Sequence, residues 1–296
     1  MFTIKYLFVN LLLLISLSAF SQTQNQEAVF LKWKLQPNEV ISYKTTMQEI
    51  DTANHRGLAM DSLIKSSRIN DQAAEFEKAM KQLDKEIQLS NFITNLKKNH
   101  KNTIDIEMYL KDTSTSVKSM TDTGKMADIQ NDMRKMMARM NKGIMLRGEV
   151  NEDGNIESFY TKGDQKNIIA VLFELPGRSV KLGDTWAIDV HFLSMDQNFK
   201  CDSSFRRNTV KVVAISNTGG EHIVTLKYDI VEYVTGDFNS PFDNKPMKTS
   251  MKMTHQALAN FSIEKGRWVS YDGIMSLSAT GMMTAQTTKK ISLVLE

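Results

Sequence analysis

Apolar residues along this chain follow two different spacings. Between Asn102 and Lys111, Ile104, Ile106, Met108 and Leu110 alternate with Asp105, Glu107 and Tyr109. A period of two is that of a strand with one covered and one wet face. Two further β-like runs, Val29 to Leu35 and Glu39 to Ile50, flank Gln36-Pro37-Asn38. In the second, Ile41, Tyr43 and Met47 oppose Lys44, Thr46 and Gln48, so the pair is expected to form a first hairpin.

Helical spacing takes over elsewhere. Phe76, Met80, Leu83 and Ile87 recur every three or four residues, which predicts an amphipathic helix from about Asp71 to Leu89. Ser90-Asn91 breaks its phase, and Phe92, Ile93 and Leu96 are expected in a kinked or separate turn ending at Lys98. A second helix is predicted in KMADIQNDMRKMMARMNK, where Met126, Ile129, Met133, Met136, Met137 and Met140 line one side. A short apolar helix is expected from Asp164 to Glu174.

The remaining pattern is β. Ile144 to Val150 and Ile156 to Tyr160 flank Asn151-Glu152-Asp153-Gly154-Asn155, a hairpin turn rather than a calcium loop, because it lacks the terminal glutamate. Trp186, Ile188, Val190 and Phe192 alternate, as do Val210, Val212 and Ala214 before a Gly219-Gly220 turn and Val224, Leu226, Tyr228 and Ile230 after it. Three more runs follow, Met251 to Glu264, Arg267 to Thr280 and Met282 to Leu295. Short turns join antiparallel neighbours, whereas parallel ones need long crossovers. The expected class is therefore α+β: a large curved antiparallel β-sheet, a half-barrel-like meander, with two or three helices packed on its concave face.

Composition adds a compartment. Residues 1–21 carry one cation, Lys5, an apolar run from Leu7 to Phe20, and Ala19 and Ser21 at cleavage-site spacing. This is the pattern of a secretory signal peptide, leaving residues 22–296 as a single secreted α+β domain, periplasmic or extracellular. No integral membrane segment is expected after signal cleavage. The net charge of +3 falls by one when Lys5 is removed, which gives no electrostatic case for nucleic acid. Cys201 is the only cysteine, so no internal disulfide is expected, and NFKCDSSF offers no nearby histidine to activate it.

Catalytic chemistry is sparse. The five histidines lie in separate elements without metal-ligand spacing. No nucleophile elbow, phosphate loop or dinucleotide fingerprint occurs, and no cofactor is implied. His255 shares a strand face with Met251, Met253, Ala257, Phe261 and Ile263, which leaves two readings: a hydrogen-bonded core histidine, or a polar contact inside a ligand cavity. The 19 methionines either pack a core or line a site for an apolar molecule. On the second reading Met133, Met137, Met140, Trp186 and His255 are the candidate ligand contacts.

The segment LPGRSVKLGDTW, Leu175 to Trp186, reads as a corner between helix and sheet, with Pro176 and Gly177 ending the helix, Val180 and Leu182 anchoring the connector and Gly183-Asp184 making a second turn. Together with Ile41-Ser42-Tyr43-Lys44, Gly148-Glu149-Val150, Asp153-Gly154 and GRWVSYDG, its Val-Lys-x-Gly-Asp-x-Trp core resembles a family of secreted bacterial proteins classed as a domain of unknown function. The resemblance spans about Lys32 to Lys290 and carries no activity. Its architecture is similar to the half-barrels of envelope lipoprotein carriers, an analogy of fold alone. Two functions are expected on these grounds: an exported protein holding a hydrophobic or lipid-like ligand, or a non-catalytic structural module of the cell envelope with a protein partner.

Overall fold

Two-residue alternation governs nearly every element of the computed structural model, which describes residues 28–50, 91–110, 144–160, 165–193, 197–239, 245–281 and 284–296. In chain order they form β1 (Val29–Phe30), β2 (Val40–Glu49), β3 (Asn91–Lys98), β4 (Ile104–Leu110), β5 (Ile144–Val150), β6 (Ile156–Tyr160), α1 (Gln165–Phe173), β7 (Ser179–Val180), β8 (Thr185–Trp186), β9 (Phe199–Thr218), β10 (Glu221–Phe238), β11 (Met247–Ser262), β12 (Arg267–Thr280) and β13 (Ala285–Leu295). β1 and β7 form a small pair. The rest make one 11-stranded antiparallel sheet in the order β6-β5-β4-β3-β2-β13-β12-β11-β10-β9-β8. Two meanders are thus joined where the second strand pairs with the last.

The sheet is rolled. Trp33 N donates to Glu152 O (2.7 Å) in the turn after β5, and Lys34 N donates to Gly266 O (3.0 Å) in the turn before β12. β4, β3, β2 and β13 lie between those strands, a separation of about 24 Å in a flat sheet at about 4.8 Å per strand. Two consecutive residues cannot span that, so the sheet curls until both turns reach them.

α1 fills the gap between the sheet's two ends. On one side a Cβ at Gly148 of β5 would lie 2.6 Å from Ile169 Cδ1. On the other, Asn167 Nδ2 donates to His191 O (2.8 Å) and its Oδ1 accepts from His191 N (2.7 Å). The core lies on the inner face of the roll, with Ile169, Leu172, Phe173, Val210, Leu226, Ala259, Tyr271 and Leu293 buried. The outer face is wet and carries polar ladders such as Thr225–Asn260–Ser270.

Several expectations are corrected. The described residues are mostly sheet with one helix, α1, so the α+β class with two or three helices on the concave face gives way to a predominantly antiparallel β fold. The helices expected at Asp71 to Leu89 and across Met126 to Met140 lie outside the described residues. Phe92, Ile93 and Leu96 belong to β3. That strand buries Phe92, Thr94 and Leu96 on one face and Ile93 on the other, and burial on both faces erases the alternation that marks a strand.

Val29 to Leu35 does not pair with β2. Its alternation is nonetheless physical, because Leu31, Trp33 and Leu35 are buried while Lys32 and Lys34 are exposed; Val29 and Phe30 pair with β7, and beyond them Trp33 and Lys34 bond to turns in place of a ladder. The strand expected at Trp186 to Phe192 likewise stops at Trp186. Beyond it Asn208 bonds both N and O of Ile188, and Arg206 bonds Val190 O. Side chains of β9 replace its backbone there, so Ile188 and Val190 keep buried positions without being a strand. In the corner itself Gly177 and Gly183 adopt φ of 61° and 88°, and Val180 is buried whereas Leu182 is exposed.

Candidate functional site

The floor of the roll is aromatic. Trp33 meets Phe261 and Trp268 edge-on, with centroids 5.4 and 5.8 Å apart, and Phe173 at 5.9 Å. Both indoles also donate to the end of α1: Trp33 Nε1 to Phe173 O (3.0 Å) and Trp268 Nε1 to Leu172 O (2.7 Å). The last carbonyls of a helix have no partner within it, and here two tryptophans supply them. Tyr43 Oη accepts from Trp268 N (3.1 Å), and burial pushes its pKa up.

Above this floor the inner face turns polar. Cross-strand partners share a face, and Trp186↔Val210, Val210↔Tyr228, Tyr228↔Ala257 and Ala257↔Gly273 define one row. The next row runs Asn208, Ile230, His255, Met275, Lys289 and Glu49. His255 is fully buried, with Nε2 2.6 Å from Tyr271 Oη. Its ring lies nearly parallel to that of Tyr271, with an interplanar angle of 10°, and Tyr228 packs edge-on to both.

Gly273 makes the seat for this imidazole, since a Cβ there would approach His255 Cε1 to 2.9 Å. Glycine inside a strand commonly marks such a close approach. Three buried polar atoms at this level have no hydrogen-bond partner among the described residues: Trp186 Nε1, Tyr228 Oη and His255 Nδ1. Buried polar atoms are nearly always paired, so three orphans on adjacent rows single this region out.

Beyond the His255 row the face is apolar again but only half-buried. Met253 opposes Leu277, and Val234 opposes Met251, which opposes Ala279. Met275, Leu277, Met253, Met251 and Val234 all keep intermediate exposure. A charged border accompanies them: Arg206 Nε lies 3.3 Å from Glu232 Oε1, and Leu193 N donates to Glu232 Oε2 (2.9 Å). On the α1 side Glu174 accepts from Asp189 N (2.9 Å), and burial raises its carboxyl to about 6.

Of the sequence-predicted contacts, Trp186 and His255 are brought to adjacent rows of this inner face. Met133, Met137 and Met140 lie outside the described residues. Tyr228, Tyr271, Met253 and Leu277 do not stand out in the sequence. Each is an ordinary apolar-face residue in its own strand, and only the register between strands gathers them. Among the described residues no group of three or more His, Cys, Asp or Glu side chains could hold a metal, and no helix is long and apolar enough to cross a membrane. Cys201 is exposed on β9.

Burial lowers the His255 pKa to about 4 from its usual 6.5. Between those values the unfolded chain binds a proton that the folded one refuses, so stability is full above pH 6.5 and falls as pH drops toward 4. The shift corresponds to at most about 3 kcal/mol. Glu174 acts oppositely: its raised pKa makes the fold gain stability as pH falls from about 6 to 4.5. Urea titrations of wild type and His255→Gln at a series of pH values separate the two. The stability difference between the proteins is expected to change by about 2–3 kcal/mol across pH 7 to 4, and a constant difference would show that His255 does not titrate this way.

Comparisons of this chain with protein-family models, with curated proteins and with solved structures return no match.

Proposed function

We propose that the protein is an exported envelope protein that holds a hydrophobic or lipid-like small molecule against the inner face of its rolled sheet. One observation carries this reading: the apolar inner face continues past the packed core as Met275, Leu277, Met253, Met251 and Val234, half-buried, next to the buried Trp186, Tyr228 and His255 atoms that have no hydrogen-bond partner among the described residues. Sites for small molecules combine an apolar lining with a few convergent polar groups and favour the mouths of rolled sheets. Three of the five lining side chains are methionines, whose flexible thioethers adapt to varied apolar shapes. The signal-peptide pattern of residues 1–21 supports export.

Native mass spectrometry and solvent extraction of the protein purified from its own host test the reading. An apolar molecule at about one per chain is expected, lost in the double variant Met253→Lys, Leu277→Lys while circular dichroism is retained. No extractable molecule, together with no binding of the solvatochromic dye Nile red, would overturn it.

A further inference from the structure

We infer that residues 187–193 form a releasable strap along one side of this site, which swings away from α1 and β9 while the sheet stays intact and so controls access to the Met253–Leu277 lining. The inference rests on the proposed binding role and assigns its gate.

The strap is tied to its neighbours by side chains. The N–H groups of Ile188, Asp189, His191 and Leu193 donate to Asn208 Oδ1 (3.2 Å), Glu174 Oε2 (2.9 Å), Asn167 Oδ1 (2.7 Å) and Glu232 Oε2 (2.9 Å). The carbonyls of Ile188, Val190 and His191 accept from Asn208, Arg206 and Asn167. Among the described residues its one bond between backbone groups is internal, Val190 N to Ile188 O (2.9 Å). A strand in a ladder leaves only by breaking its neighbour's backbone bonds, whereas side-chain anchors turn to other rotamers and bond water instead. Release therefore leaves β9 and β10 paired with each other.

The grip is uneven, and its loose end lies beside the site. Ile188 and Val190 are buried, but Phe192 and Leu193 keep intermediate exposure. Arg206, which holds Val190 O, has a side chain 41% exposed, so water competes for that bond. Cross-strand partners share a face, and Arg206, Glu232, Met253 and Leu277 are successive partners on β9, β10, β11 and β12. The two side chains that hold Val190 and Leu193 thus stand in the same row as the lining.

Hydrogen exchange and dye binding on the full protein test this. In wild type at neutral pH, the amides of 187–193 are expected to exchange about tenfold faster than those of Val224–Ile230 in β10. Asn167→Ala, which removes both bonds to His191, should speed exchange in the strap and leave β10 unchanged. A disulfide between Asn167→Cys and His191→Cys, in a Cys201→Ser background, locks the strap to α1. Relative to its own reduced form, the locked protein should show strap exchange and Nile red association each slowed by about tenfold, because binding scales with the open population. Strap amides exchanging no faster than β10, no change in Asn167→Ala, or dye association equal in the locked and reduced forms would overturn the inference and leave the binding role intact. No Nile red binding in any form would overturn both.

Discussion

Replacing Trp33 by alanine is expected to lower the unfolding free energy by about 3–5 kcal/mol, the range for deleting a large buried aromatic. Trp33 is fully buried, and its ring is contacted from three directions by Phe173, Phe261 and Trp268. No single neighbour can collapse into the space it leaves, which places the cost toward the upper end. The substitution also leaves Phe173 O at the end of α1 without the indole donor. Trp33→Phe isolates that second effect in part: it keeps an aromatic ring, loses the N–H, and should cost about 1–3 kcal/mol. The exposed neighbour Lys32 tests the opposite limit. Its ion pair with Glu152 is on the surface, and Lys32→Ala should change stability by less than about 1 kcal/mol. Equilibrium urea denaturation followed by circular dichroism measures all three. A loss in Trp33→Ala no larger than in Lys32→Ala would mean that the aromatic floor does not hold the roll together.

Trp33 also shows how far the fold is legible in the sequence. Its alternation with Leu31 and Leu35 is plain, but alternation records which side of a segment is covered and not what covers it. A strand, an extended plug bonded to two distant turns, and a segment held by side chains of a neighbour all produce the same pattern. This is why Val29 to Leu35 and Trp186 to Phe192 read as strands and largely are not. β4 and the β5–β6 hairpin are legible because turn chemistry and one-sided burial agree there. β3 is obscured by being buried on both faces.

The candidate site is legible only in fragments. His255 stands out as a polar residue in an apolar row, and Trp186 as the end of a marked corner. That the two lie on adjacent rows follows from the order β8-β9-β10-β11 and its register, with bulges near Leu226 and Gly236 in the β9 pairing. Such long-range pairings leave no trace in the local spacing of one chain. Gly273 illustrates the limit: a strand glycine predicts a close approach, but only the pairing of β11 with β12 identifies the imidazole that approaches.

Gly154→Ala is expected to cost about 2–5 kcal/mol through two separate effects. The residue sits in the β5–β6 turn at φ of 87°, a conformation that costs a residue with a Cβ about 1–2 kcal/mol. The space is also taken: a Cβ would lie 2.4 Å from Leu175 N and Cβ. Leu175 is the buried residue that follows α1, so its backbone cannot yield without moving the helix end, and overpacking of this kind adds about 1–3 kcal/mol. The same turn supplies Glu152 O to Trp33; a shift there is transmitted to the aromatic floor. Gly183→Ala separates the effects, because Gly183 has nearly the same φ, 88°, and a Cβ added to it would meet nothing within 4 Å. It should show the backbone cost alone. If thermal unfolding finds Gly154→Ala and Gly183→Ala equally destabilised, the close packing of Leu175 on the turn contributes nothing, and the corner is held by backbone conformation only.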